Sequence, residues 1–66
     1  MISNDALSKE VARVEGVLHR YEKSDYQYAR YAASMIRISL DELKQALAGD
    51  SPMALKRAYE DLNFIN

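Results

Sequence analysis

The stretch Ser24–Gly49, SDYQYARYAASMIRISLDELKQALAG, decides the fold. Placed at about 100° per residue, Ala29, Ala32, Ile36, Leu40, Leu43 and Leu47 fall in one tight stripe. Apolar residues that recur every three or four positions over several turns mark an amphipathic helix. This stripe is the expected internal face. Ser24 and Gln27 have capping-box spacing, in which the serine oxygen accepts from first-turn amides and the glutamine reaches back. The helix is therefore expected to begin near Ser24 and to run to Ala48, with Gly49 as a left-handed stop. Ser39 and Glu42 repeat the capping spacing, and Ile38 and Leu43 are spaced as a hydrophobic staple, so a break near Ser39 is the alternative. The periodicity that runs through Ser39 favours a continuous helix.

The same helix is too apolar to have one buried side. Tyr28, Tyr31, Met35 and Ile38 extend the stripe until it covers about 240° of the wheel. Arg30, Ser34, Arg37, Asp41 and Lys44 and their neighbours keep the remainder polar. Two short companion helices do not easily cover so wide an arc. The alternatives are a helix enclosed by its companions, a dimer seam, and an exposed patch for a foreign partner. Exposed aromatic and methionine clusters mark binding surfaces, because they bury much area at low entropic cost. The candidate partner-binding residues are Tyr28, Tyr31, Met35 and Ile38, with Arg30 and Arg37 at the rim. Four of the five tyrosines, Tyr21, Tyr26, Tyr28 and Tyr31, gather around the turn that precedes this helix. There they either close the end of a bundle or form a half-wet interface.

Working outward, Leu7, Val11, Val14, Leu18 and Tyr21 recur at four, three, four and three, which predicts a helix from about Asp5 to Lys23. Only two and a half heptads are present, which favours an ordinary bundle helix over a long coiled coil. On the C-terminal side, Ser51 or Asp50 can cap a short helix whose first position suits Pro52. Its apolar stripe is Leu55, Ala58, Tyr59 and Leu62; Phe64 and Ile65 beyond it either fold back onto the core or form an exposed hook. The expected fold is all-α, a small three-helix bundle of two longer antiparallel helices plus a short C-terminal helix, in a single domain over residues 1–66.

With 66 residues and no cysteine, the chain cannot use disulfides or thiolate metal sites. A chain of this size buries only about 60% of its unfolded surface, which makes self-association or a partner expected. Apolar residues at 48% exclude a disordered chain, and three glycines and prolines together exclude a flexible linker. Nine basic residues against ten acidic ones create no field that would steer the whole chain to nucleic acid or to an anionic membrane. No apolar stretch approaches the roughly 20 residues of a bilayer span. Met1 to Asp5 lack the basic-then-apolar layout of a signal peptide, so the expected location is cytoplasmic.

Nucleic-acid binding is the alternative function. Lys9, Arg13, Arg20 and Lys23 lie on the outward side of the first helix, and Arg30, Arg37 and Lys44 recur at sevens on the second. Basic stripes beside tyrosines can track phosphates. The alternative set is Arg13, Arg20, Arg30 and Arg37. Against it, Glu15 and Glu22 flank the first stripe, and Arg37 and Asp41 have the spacing of a helical ion pair. Gly16, within the first stripe, would permit close approach by a partner's backbone, or is simply tolerated at a cost of about 1 kcal/mol. Met35 to Leu43 first alternates and then turns helical, which resembles the opening of a ribbon-helix-helix repressor, whose paired strands enter the major groove. The departures are a following helix of only about eight residues before Gly49 and a long helical segment ahead of it. The same residues also fit the single long helix.

Catalysis is not expected. The chain has no cysteine or threonine and one histidine, His19. It has no glycine-rich phosphate loop, and it has little room to enclose a ligand pocket of roughly 300 Å³. Glu15, His19 and Glu22 share one face, but helical metal sites draw inward-facing ligands from several helices, and no matching motif exists elsewhere. No metal, cofactor, membrane or small-molecule substrate is expected. In size and style the chain resembles the short accessory proteins of phages, plasmids and bacterial regulatory systems, many of which act by stoichiometric binding. The leading expectation is a non-enzymatic protein–protein interaction module, an inhibitor, adaptor or chaperone, with a protein partner or a homodimer. The second is a small dimeric nucleic-acid-binding regulator.

Overall fold

A computed structural model describes residues 2–49 and 51–66 of the chain. Helix α1 spans Asn4–Glu22, α2 Gln27–Ala48 and α3 Pro52–Asn63. All three pack against one another, so the molecule is an all-α three-helix bundle, 39 Å long and 18 × 17 Å across. No strand forms among the described residues, and Met35 to Leu43 lie wholly inside α2. The ribbon-helix-helix resemblance is thereby overturned: the short apolar alternation there is taken up by a helix whose other turns already favour the 3.6 period.

The local chemistry at each helix end explains its bounds. Ser3 caps α1, its hydroxyl accepting from the Ala6 amide at 3.1 Å. Ser51 caps α3 in the same way through the Ala54 amide at 3.2 Å, and Pro52 occupies the first turn, where no intrahelical amide is required. The alternative cap, Asp50, lies outside the described residues. Ser24 does not cap α2. Its hydroxyl accepts from the Tyr26 amide two positions on, a local turn that competes with the helical cap, and α2 starts three residues later without a side-chain cap. Helix α2 then runs unbroken through Ser39. Gly49 is extended, with φ −93° and ψ 176°, rather than left-handed. Its amide still reaches the Gln45 carbonyl at 3.1 Å, so the last turn closes without a left-handed residue.

The core joins Val14 and Val17 of α1, Ile36 and Leu43 of α2, and Ala58 and Leu62 of α3. Ala29 and Ala33 are also buried and give the N-terminal half of α2 a small-residue face. Leu7, Val11, Leu18, Tyr21, Leu40, Leu55 and Ile65 close around this centre, half-buried. Tyr59 and Ala32 are half-buried as well. The expected core stripe is corrected at two places. Leu47 is 52% exposed, and Ala33, not part of the expected stripe, is buried in the interior. At the C-terminus, Ile65 packs on the core while Phe64 stands 82% exposed, so the two residues divide the two readings between them.

Candidate partner-binding face

The second apolar stripe of α2 is bare. Tyr28 is 62% exposed, Tyr31 70%, Met35 47% and Ile38 50%. They recur at three, four and three, so they share one side of the helix, about 140° around from the buried stripe of Ala29, Ala33, Ile36 and Leu43. Helices α1 and α3 occupy the buried side, and neither wraps far enough to reach the second stripe. The enclosed-helix alternative is therefore not what the fold adopts. Tyr26, the residue before α2, adds to this end of the molecule: its ring lies 5.5 Å from that of Tyr28 at a 55° tilt, an edge-inclined pair. Tyr21 does otherwise. It is half-buried, and its hydroxyl donates to the Asn66 carbonyl at 3.3 Å, which ties the C-terminal residues to α1.

The arginines have separate assignments. Arg13 grips the end of α3. Its Nη1 donates to the Ile65 carbonyl at 2.6 Å and its Nη2 to the Leu62 carbonyl at 3.0 Å, while Nε and Nη2 hold the Glu10 carboxylate at 2.7 and 3.1 Å. Leu62 lies in the last turn of α3, where its carbonyl also accepts from the Ile65 amide at 3.0 Å, and Ile65 lies just beyond the helix, so Arg13 supports this end of α3 from a different helix. The guanidinium in turn holds the Glu10 carboxyl below its ordinary pKa, first through the hydrogen bond. Arg37 bonds Glu22 of α1 at 2.6 Å, not the expected Asp41 on its own helix. Glu22 lies on the edge of α1 about 180° from Arg13, so these two arginines mark opposite sides of the helix. Arg20 and Arg30 are exposed. The four arginines thus do not line up as one basic track.

Arg30 and Arg37 line an open polar hollow of about 580 Å³ with Lys23, Asp25 and Ser34, at the α1–α2 turn. An apolar groove of about 720 Å³ runs past Ile2, Leu47, Pro52 and Leu55 at the other end. Both volumes exceed the room expected for a chain of this size, because they are furrows between helix ends rather than enclosed cavities. Among the described residues, no three His, Cys, Asp or Glu side chains gather as a metal site, and Glu22 of the Glu15–His19–Glu22 face is committed to Arg37. No helix is long and apolar enough to cross a membrane among these residues. Gly16 faces open space, with no other part of the chain within 4 Å of where a side chain would stand.

Comparison of the chain with protein families, curated proteins and solved structures finds no match in any of the three.

Proposed function

We propose that the chain is a non-enzymatic protein–protein interaction module, a small inhibitor, adaptor or chaperone of phage or plasmid type. It binds a protein partner through Tyr28, Tyr31, Met35 and Ile38 of α2, with Arg30 and Arg37 at the rim. The observation that carries the reading is the exposure of these four side chains on one face of a helix whose opposite face is already satisfied by the core. Tyrosine side chains bury roughly 150–250 Å² each, so Tyr28 and Tyr31 alone leave on the order of 250 Å² of largely apolar surface in water. Removing one such side chain from water contributes about 1.5–3 kcal/mol, and a central cluster of this kind is how small interfaces gain most of their affinity. The rim arginines supply orientation, and Arg37 is already held in place by Glu22.

The test is affinity capture from the source cell, with and without nuclease, using the native chain and Tyr31→Ala with Met35→Ala. The expected result is a protein that survives nuclease and is lost with the double variant, while the helical circular dichroism signal is kept. Recovery of nucleic acid, or of proteins that vanish with nuclease, would instead favour a nucleic-acid-binding regulator. Affinity would then fall steeply with salt.

A further inference from the structure

We propose that the partner of this face is a second copy of the chain, with the two α2 helices antiparallel and meeting at Met35. The inference rests on the reading above that the face is a binding surface, and it names the occupant from the arrangement of charge on α2.

A stripe at three, four and three is one half of a helix–helix seam. Continued toward the C-terminus it reaches Glu42 and Gln45, so the seam is apolar at its N-terminal and middle turns and polar at its end. In a two-fold antiparallel pair, residue numbers facing each other have a constant sum, and each flank meets the same flank of the other copy. Centring the pair on Met35 sets that sum near 70. Tyr31 then faces Ile38 of the second copy, and Met35 faces its own equivalent. Tyr28 faces Glu42, whose carboxylate accepts from the phenol. Arg30 and Asp41, both exposed and both on the flank nearer α1, come within reach of each other across the edge. Among the described residues the ion pairs are Arg13–Glu10 and Arg37–Glu22, which leaves Arg30 and Asp41 available for this. A parallel pair would place Glu42 against its own like charge on the seam, and it would set the flank that carries Arg30 and Asp41 against the other flank of the second copy, where neither finds its opposite. Charge complementarity therefore selects the antiparallel copy.

Area sets the strength. A stable interface takes about 800 Å² from each partner, and the four apolar side chains supply roughly half of it, the polar flanks the remainder. The pair is accordingly a reversible one, formed at micromolar or higher concentration.

The chain contains no cysteine, so single cysteines report the geometry. The experiment compares Met35→Cys, Tyr28→Cys and a control, Lys56→Cys, under mild oxidation, alongside sedimentation of the native chain from about 10 µM to 1 mM. Antiparallel crossing at Met35 brings the two position-35 sites together and leaves the position-28 sites about 21 Å apart, at 1.5 Å per residue. The expected result is a covalent dimer from Met35→Cys well above the other two, and a native monomer–dimer equilibrium. Arg30→Asp should raise the dissociation constant several-fold, and Arg30→Asp with Asp41→Arg should restore it. Equal cross-linking at position 28 would overturn the antiparallel register. A dimer that survives Tyr31→Ala with Met35→Ala would place the seam elsewhere and overturn the proposal. A native chain that stays monomeric throughout also overturns it. If that monomer captures a foreign protein through the same two residues, the binding-face reading stands without the dimer. If it captures none, both fall.

Discussion

Arg13 on α1 donates to the Ile65 carbonyl at 2.6 Å, joining two residues 52 positions apart. This contact explains how so short a terminal helix is held. Helix α3 has twelve residues, too few to be stable in isolation. Its burial of Ala58 and Leu62 and the donation of Arg13 to its last carbonyls act together.

Arg13→Ala should therefore loosen residues 62–66 without unfolding α1 and α2. Amide exchange should quicken several-fold at Phe64 and Ile65, whose amides bond the Asp61 and Leu62 carbonyls, and remain slow around Leu43. Arg13→Lys should not rescue it, because a single ammonium cannot span two carbonyls and a carboxylate in one plane. Uniform loss of protection along the chain would contradict the assignment.

The partner of Arg13 gives a pH dependence of known sign. Glu10 has its folded pKa depressed, chiefly by the hydrogen bond from Arg13. Its contribution is complete above the unfolded value and is lost as pH falls through the folded one. The Ile65 methyl resonance should move on acidification below the usual carboxylate range, and Glu10→Gln should remove that transition while leaving the neutral-pH spectrum helical.

Leu43 and Leu47 were equivalent by helical periodicity and are not equivalent in the fold. Leu43 is 2% exposed and Leu47 52%. Leu43→Ala should cost about 2–5 kcal/mol and leave little folded protein, since a large apolar deletion in a small core leaves a cavity. Leu47→Ala should cost well under half of that. Similar melting temperatures for the two variants would show the core to be wrongly placed.

Gly16 lies mid-helix facing open space. Gly16→Ala should stabilise by about 0.5–1 kcal/mol, because alanine lowers the entropy lost on folding and meets no obstacle. For a domain of this size that raises the melting temperature by several degrees. A fall in melting temperature would reveal a close contact at this position.

Periodicity made the three helices, the Ser51–Pro52 start and the breadth of the apolar arc on α2 legible in the sequence. Each depends on neighbours within one or two turns. What it could not convey depends on tertiary placement. Arg37 had an ion-pair partner at suitable spacing in Asp41, yet bonds Glu22 across the hairpin, and no local rule ranks the two. Ser24 and Gln27 matched a cap, but the same hydroxyl also satisfies a turn, which won. Gly49 matched a left-handed stop, yet the chain leaves α2 extended. Leu47 lies on the right stripe but in the last turn of α2, beside an open groove that Pro52 and Leu55 of α3 line without closing. The helical wheel shows the candidate face to be apolar; that it is bare follows only from where α1 and α3 pack.

The Tyr28–Ile38 stripe of α2 is proposed to be a contact face. Its most direct test is the methionine methyl spectrum of the labelled chain, read on concentration and again on adding extract of the source cell. Met35 lies within the stripe and Met53, 78% exposed on α3, lies outside it, so one reports contact and the other controls for it. With a contact face at this stripe, the Met35 signal shifts or broadens while Met53 stays sharp. A Met35 signal unmoved under both conditions, or one that changes only in step with Met53, would contradict it.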